Sequence, residues 1–555
     1  MPAWPGRSAV FAQVAATRGI EARGGEAWLC APVCHDPAGL ADMDRAVAVV
    51  GAALGADRPI AVYGDYDADG VTGCALLVRT LTAAGATVRP YIPHRQAEGY
   101  GLNPEALREL DRLGVETVIT VDCGTTALDV ARGRPPGQRL VITDHHLPVT
   151  TATGEQRLAD ADAVVNPRRV DDGYAFKGLA GVGVALKLAQ ALEAAGLVPA
   201  GTAQAQLPLV ALGTVADCMP LLDENRALVR AGLAAWPTAP PGLRALSELA
   251  GCRAAPTSSD LAFSVAPRIN AAGRMEDALV ALTCCLASEA EAGRAAAAEL
   301  EGLNQRRRAA LAAALGMAHE RVAAAEDAPV IACGDPAFAP GVVGLVAGRL
   351  AEEFARPAFV HSETGDEWRG SARGIAGLNV VEVLEACAPC LRRFGGHAAA
   401  GGFSLDPSPQ AAAAFHRRLA EVVVARGGAA RSPVRTFAVD AVCSLDRCTL
   451  QLADELAVFE PVGQGNPPIL LLARDCRVVA TSTFGGVGQH LRVQLQDATG
   501  AAEALTFNRP HLRDHLPEGR RVDGLFVLEA DEWRGRRRAR LLLRDLRPAG
   551  LARAG

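Results

Sequence analysis

Three aspartates, Asp65, Asp67 and Asp69, alternate in the segment GDYDADG. An alternating acidic turn could hold calcium, but a calcium hand needs Glu at its twelfth position, where this chain has Leu76, and a helix before the loop, where PIAVY reads as a strand. Other acidic segments give the turn a different meaning. Asp122 ends a second short β-branched run, Asp144-His145-His146 ends a third, and Asp217 follows the apolar run LPLVALGTVA. Four carboxylate-bearing segments gathered at one edge would repel strongly unless cations neutralised them. Paired divalent metals, about 3.5 to 4 Å apart, are what phosphoryl-transfer sites use to activate water and stabilise a leaving oxygen. Imidazole beside carboxylate favours Mn²⁺ more than an all-oxygen Mg²⁺ site does. Two divalent cations are therefore expected, manganese preferred and magnesium tolerated.

To meet, these side chains need elements that bring them to one edge. From about 58 to 145 the chain repeats strand, polar loop and helix: PIAVY leads into GDYDADG, VETVITV into DCGTT, and RLVIT into DHH. Such alternation predicts parallel strands with helical crossovers, and sites in this architecture lie off the strands' carboxyl ends. The helical stretches LAGVGVALKLAQALEAAG and LPLVALGTVADCMPL close the first domain. Residues 276–325, rich in Ala, Glu and Arg, predict one or two long connecting helices. A second α/β unit runs from APVIACG to RRFGGHAAAGGF, and six short strand patterns after ARGGAARSPVR predict a small β barrel. The expected fold class is α/β: a two-lobed core of parallel sheets with flanking helices, joined by a long helix, plus the barrel. The expected domains are an N-terminal extension (1–50), a catalytic domain (51–235), a helical connection (236–328), a second lobe (329–430) and a barrel (431–555).

A chain of 555 residues with 50% hydrophobic content excludes a single small binding module and a disordered chain. Its net charge of −6 does not exclude nucleic acid, because acidic sites and basic patches can lie far apart. Only Lys177 and Lys187 are lysines, so the positive charge is almost all guanidinium. No run reaches about 18 apolar residues and no secretory leader is visible, so a cytoplasmic protein without membrane contact is expected. Fourteen cysteines are too dilute for a disulfide scaffold, and Cys387/Cys390 and Cys30/Cys34 lack a second half of a metal-binding set.

Arginines then mark where an anion could lie. PRINAAGRM offers Arg268, Asn270 and Arg274, and GSARG offers Ser371 and Arg373 beside glycines that let a backbone approach a phosphate. Taken alone, each reads as a solvated surface or a helix cap. Near the C-terminus, Arg534, Arg536, Arg537, Arg538, Arg540, Arg544 and Arg547 could track a sugar-phosphate backbone on an OB-like surface, with Trp533 as a stacking platform; an ordinary charged strand edge is the competing reading.

The segments YGDYDADG, VDCG, TDHH and GTVADCMPL, in that order, resemble the four motifs of the DHH phosphoesterase superfamily. PHRQAEGYGLN, VVNP, LAGVGVALKLA, PRINAAGRM, GVVGLVAGRL, GSARG, FGGHAAAGGF and FEPVGQGNPP are similar to its bacterial single-strand-specific 5′ exonucleases. That resemblance implies metal ligation by Asp67, Asp69, Asp122, His145, His146 and Asp217, with Asp122 bridging both metals. It assigns Asp65 to supporting the ligands and Asp144 to orienting the histidines. Pyrophosphatase-like relatives carry a ligating His where this chain has Tyr63, which argues against pyrophosphate chemistry. The resemblance also places Arg268, Asn270, Arg274, Ser371 and Arg373 along the strand path, and turns the Gly395-Gly396-His397 loop of the DHH-associated lobe toward the metals. His397 would then touch the scissile phosphate, while Arg95, Ser371 and Arg373 would hold a terminal 5′ phosphate. The implied activity is hydrolysis of single-stranded DNA, 5′ to 3′, to mononucleotides in DNA repair and recombination. The implied protein is a monomer, with single-strand-binding protein and helicase as partners. Two alternatives stand beside it: a phosphodiesterase for short oligonucleotides or cyclic dinucleotides, and a non-catalytic single-strand-binding protein.

Overall fold

The computed structural model describes residues 4–30, 33–151, 153–323, 325, 328–427, 436–533 and 535–550. The chain divides into two compact units, one of His35–Met219 with Ala231–Arg435, the other of Met1–Cys34, Pro220–Arg230 and Thr436–Gly555.

In the larger unit, strands β1 (Ile60–Gly64), β2 (Val88–Tyr91), β3 (Thr117–Val121), β4 (Arg139–Thr143) and β5 (Ala163–Val165) form an all-parallel sheet in the order β2-β1-β3-β4-β5. Every residue of β1 and β3 is buried, as strands covered on both faces require. Helix α1 (Ala68–Ala83) follows β1. Its cap is Asp67, whose Oδ1 accepts from Asp69 N at 2.9 Å and Gly70 N at 3.1 Å. Gly70 is obligatory, because a Cβ there would sit 2.5 to 2.7 Å from the Asp65 backbone. Helices α2 (Gly181–Ala194) and α3 (Leu207–Ala216) pack beside α1. A π-helical turn, Leu261–Val265, leads into α4 (Ala266–Met275), and the connection culminates in the 34-residue α5 (Ala290–Ala323).

The second lobe departs from expectation. Strands β6 (Ile331–Asp335), β7 (Ala358–Ser362), β8 (Trp368–Arg373), β9 (Arg393–Gly396) and β10 (Ala400–Leu405) pair in the order β9-β10-β8-β7-β6. Only β6 and β7, separated by helix α6 (Val343–Phe354), are parallel; the other pairs are antiparallel. The short loops between β7 and β8 and between β9 and β10 leave no room for a crossover, so each pair closes as a hairpin. The expected parallel sheet holds for the first lobe and is corrected to a mixed sheet here.

In the smaller unit, β11 (Ala441–Val442), β12 (Leu471–Phe484), β13 (His490–Gln496), β14 (Ala501–Thr506), β15 (Arg521–Trp533) and β16 (Arg536–Pro548) run in the order β11-β12-β13-β14-β16-β15. Pairing of β12 with β15 closes a five-stranded barrel, with β11 outside it. The segment expected as an N-terminal extension contributes to this core: Phe11, Val14 and Leu29 lie in one cluster with Leu471 and Phe526. Arg18 fastens it through a two-pronged bond to Asp440, Nε–Oδ1 2.8 Å and Nη2–Oδ2 3.0 Å. The arginine stripe on β16 is largely neutralised in place. Arg537 pairs with Asp454 at 2.5 Å, Arg538 with Asp531 at 3.3 Å, Arg540 with Asp531 at 2.7 Å, and Arg547 with Asp523 at 3.0 Å. Register explains most of this, since β15 sets its alternating acids opposite the arginines of β16. Arg534 and the Trp533 side chain lie outside the described residues.

Candidate metal centre and anion cleft

Each chemical side chain sits where a strand of the first sheet ends or at one end of a helix. Asp65 follows β1, Asp122 follows β3, and Asp144, His145 and His146 follow β4. Asp217 comes one residue after α3. Asp122 takes the left-handed backbone, φ +62°, which Asp tolerates better than most residues. Its N–H donates to Thr143 O at 3.0 Å, tying the turn to the neighbouring strand. Behind it stands Gly181, where an added Cβ would lie 2.6 Å from the Asp122 Cβ. The same helix start grips Asp69: Gly181 N donates to Oδ2 at 2.7 Å and Val182 N to Oδ1 at 2.8 Å. Backbone donors at a helix N-terminus thus hold a carboxylate that is otherwise fully buried.

Three groups of potential ligand atoms result, each within 4.8 Å: Asp122, His145 and His146; Asp69, His145 and Asp217; and Asp65, Asp67 and Asp122. Asp122 and His145 each belong to two groups. His145 Nε2 lies 3.0 Å from Asp122 Oδ1, 3.6 Å from Asp217 Oδ2 and 3.8 Å from Asp69 Oδ2. Asp65, expected as a support, shares a group with Asp67 and Asp122, so its carboxylate stands where a ligand could. Asp144 belongs to none; its Oδ1 accepts from His145 N at 2.7 Å and His146 N at 3.1 Å, and lies 2.8 Å from His146 Nδ1.

The electrostatics match a site built for cations. Burial, and then the neighbouring carboxylates, push Asp65, Asp69 and Asp122 well above the usual carboxylate range, and Asp217 up to about 7. Burial also pushes Asp144 up, but the hydrogen bond and charge of His146 outweigh it and hold this carboxyl below its ordinary value. Burial, reinforced by the charge of His146, lowers His145 to about 4, leaving a neutral ring that can donate a lone pair. Asp65 Oδ1 and Asp122 Oδ1 are buried without a hydrogen-bond partner. Mixed carboxylate and imidazole donors with unsatisfied buried oxygens fit divalent cations of the Mn²⁺ or Mg²⁺ type.

Beside this centre a cavity of about 570 Å³ is lined by Tyr66, Arg95, Arg274, Ser371, Arg373 and His397, so both lobes contribute to it. Arg95 stacks 4.7 Å over the Tyr66 ring, and Arg373 Nη1 donates to Ser371 Oγ at 2.9 Å. Burial and the charges of Arg95 and Arg307 lower Arg274 to about 10. Burial and Arg95 likewise lower Arg373. Among the described residues no ion pair engages Arg95, Arg274 or Arg373, and an anion would supply one. Gly396 and Gly401 also line the cavity, where β9 turns into β10. A Cβ on Gly396 would come within 2.4 Å of Ala400 O, and Gly395 precedes it on an exposed strand. His397 is exposed at this turn and belongs to none of the ligand groups.

Two expected substrate contacts also make bonds within the protein. Arg268 Nε bonds Glu301 at 2.5 Å and Nη1 bonds Ser264 O at 2.5 Å, joining α4 to α5. Asn270 Oδ1 accepts from Ala68 N at 2.9 Å, so it positions the acidic loop. Tyr63 Oη donates to Gly101 O at 2.9 Å and joins no ligand group. Sequence reasoning missed Tyr100, whose hydroxyl stands 3.2 Å from His146 Nδ1 and donates to Asp122 O at 3.4 Å. The signal was there: Tyr100 lies between two glycines, Gly99 and Gly101, both at positive φ. It also missed the bridge between lobes, Arg369 Nη1 to Gln96 O at 2.9 Å. Cys387 and Cys390 belong to no ligand group among the described residues.

Ordered acidic and histidine loops on a parallel sheet, facing an arginine cleft closed by a second lobe, define a DHH phosphoesterase core. Family comparison agrees: residues 59–214 match the N-terminal domain of the DHH family, 327–425 the DHHA1 domain and 439–545 the RecJ OB domain. The chain belongs to the RecJ family. It is 35% identical over 540 residues to the single-stranded-DNA-specific exonuclease RecJ of Dickeya dadantii, with 92% of this chain and 91% of that one covered. The Bacillus subtilis protein of the same name is 33% identical over 520 residues, but the chain spans only 64% of its length. Among solved structures, RecJ of Thermus thermophilus in complex with Mn²⁺ matches with TM-score 0.81 and 33% identity, covering 98% of this chain and 76% of that one. Its complex with Mg²⁺ matches with TM-score 0.76 and 31% identity, covering 98% and 75%. No helix among the described residues is long and apolar enough to cross a membrane.

Proposed function

We propose that the chain is a metal-dependent exonuclease that removes mononucleotides from the 5′ end of single-stranded DNA. One observation carries the reading: the Asp and His groups adjoin a cavity whose arginines form no ion pair among the described residues, so a phosphate chain has a place on each. Asp65, Asp67, Asp69, Asp122, His145, His146 and Asp217 would hold two divalent cations, with Asp122 shared. When bound, such a pair supplies a strong nucleophile at neutral pH and stabilises charge on the phosphate and leaving oxygen.

The protein's own groups do the rest. Asp144 fixes the direction of His146 through the 2.8 Å contact to its ring, and the α2 backbone fixes Asp69. Arg95, Ser371 and Arg373 bind the terminal 5′ phosphate by charge-assisted hydrogen bonds, setting the first internal linkage over the acidic groups. Arg274 neutralises the phosphate beside Asp67, and His397 stabilises charge on the scissile phosphate from the second lobe. On this reading the enzyme is a cytoplasmic monomer working in DNA repair and recombination, on strands that a helicase and a single-strand-binding protein present. The test is to incubate the protein with Mn²⁺ and 5′-labelled or 3′-labelled single strands. Labelled mononucleotide released first from the 5′ end supports the proposal; release from the 3′ end, or internal cuts, contradicts it.

A further inference from the structure

Arg168 is the cation that the mechanism above leaves unused. It follows β5 in the turn Asn166-Pro167-Arg168, and that turn is fastened to the DHH loop. Asn166 Nδ2 donates to His146 O at 2.8 Å and to Thr125 Oγ1 at 2.9 Å, while Asn166 Oδ1 accepts from Arg168 N at 2.8 Å. The adjacent Arg169 is fully engaged, with Nη2 on Asp171 at 2.6 Å and Nη1 on Asp42 at 2.8 Å and on Val164 O at 2.6 Å. Arg168 is its opposite. Its Nε is buried without a partner, and among the described residues no hydrogen bond or ion pair engages its guanidinium. Its charge acts on His145 and Asp217. The cleft arginines act elsewhere, Arg95 on Asp65 while Asp67 acts on Arg274. Cations therefore meet the acidic centre at separate points, the cleft arginines at Asp65 and Asp67, and Arg168 through the Asn166 turn that is bonded to the DHH loop.

On the exonuclease reading, a strand with its 5′ end in the cleft and its first linkage over Asp122 continues past the DHH loop, to which the Asn166-Arg168 turn is fastened. We infer that Arg168 binds the phosphate immediately 3′ of the scissile one, a second grip on the departing strand; this rests on the exonuclease reading above. A guanidinium held over a phosphate forms two parallel hydrogen bonds, which fix that nucleotide while the first is cut.

The test is a double-mutant cycle in single turnover, reading release of the first nucleotide with Mn²⁺ present. Wild type and Arg168→Gln are each given a 5′-phosphorylated 20-mer, the same strand with a neutral methylphosphonate at the second linkage, and a control with it at the fifth. Wild type should lose ten-fold or more on the second-linkage strand and little on the control. Arg168→Gln should lose ten-fold on the unmodified strand and no more than two-fold further on the second-linkage strand. Losses that multiply would overturn the assignment, because Arg168 would then act through the metal ligands, and so would an unimpaired variant. Should Arg168→Gln fail to fold, Arg168→Lys carries the same comparison: it keeps the charge but not the two-pronged bond, so it should lose less on the unmodified strand and show a penalty at the second linkage smaller than that of wild type. A wild type that releases no nucleotide from the unmodified strand would instead remove the exonuclease reading itself.

Discussion

Replacing Asp122 by Asn should stabilise the metal-free protein while destroying its activity. Asn keeps the side-chain volume and accepts the left-handed backbone at φ +62°, so the turn onto Thr143 survives. What changes is charge. Carboxylate oxygens of Asp65 and Asp67 lie within 4.8 Å of Asp122, and two unit charges that far apart repel by about 3.5 kcal/mol at an effective dielectric of about 20. Proton uptake relieves part of that repulsion, so a net gain of about 2 kcal/mol is expected, equivalent to a rise in Tm of about 2 °C in a unit of this size. With Mn²⁺ the order should reverse: wild type gains from binding two cations, and the variant loses the carboxylate they share. Thermal unfolding in EDTA and in Mn²⁺, beside cleavage of a 5′-labelled 20-mer, reads all three quantities. A metal-free variant no more stable than wild type would refute the electrostatic reasoning. Turnover above about 1% of wild type, or equal stabilisation by Mn²⁺, would refute the shared position, since losing it should cost several kcal/mol in the transition state.

Arg373→Ala should lower cleavage of 5′-phosphorylated strands ten-fold or more and narrow the preference over 5′-hydroxyl strands, as loss of a charged hydrogen bond worth about 1.5 to 3 kcal/mol implies; equal losses on both substrates would remove the terminal-phosphate role. Phe11→Ala should destabilise the smaller unit by about 3 to 5 kcal/mol, because Phe11 is fully buried in the barrel core, and denaturant unfolding followed at that unit would show it. The second lobe should weaken in acid. His361 and His416 face each other at 3.1 Å, and burial lowers them to about 3 and about 4, below the unfolded value near 6.5. The unfolded chain then binds more protons, so stability is complete above about pH 6.5 and falls as pH drops toward 4, by about 1.4 kcal/mol per pH unit for each proton. His416→Gln should flatten that slope.

The acidic edge was legible because strand, loop and helix are each short and locally encoded. β1, β3 and β4 announce themselves as β-branched runs, and a parallel sheet then has only one place to put the residues after them. The internal bonds of Arg268 and Asn270 were not, because which guanidinium meets Glu301 and which amide meets Ala68 depends on packing between α4, α5 and the acidic loop. The hairpins of the second lobe escaped for a related reason: a buried run of apolar residues has the same pattern whether its neighbour is parallel or antiparallel. Pairing also hid the chemistry of the C-terminal arginines, which look free until β15 supplies an acid opposite most of them.

The barrel core also bears on how the chain is made. Its first contributors, Phe11, Val14 and Leu29, leave the ribosome roughly 400 residues ahead of the strands that bury them. At about 5 to 20 residues per second, that is a wait of about 20 to 80 s with an apolar helix face uncovered, while the larger unit can already fold. The leading segment is therefore the last to settle, and a truncated transcript would strand it with nothing to bury against.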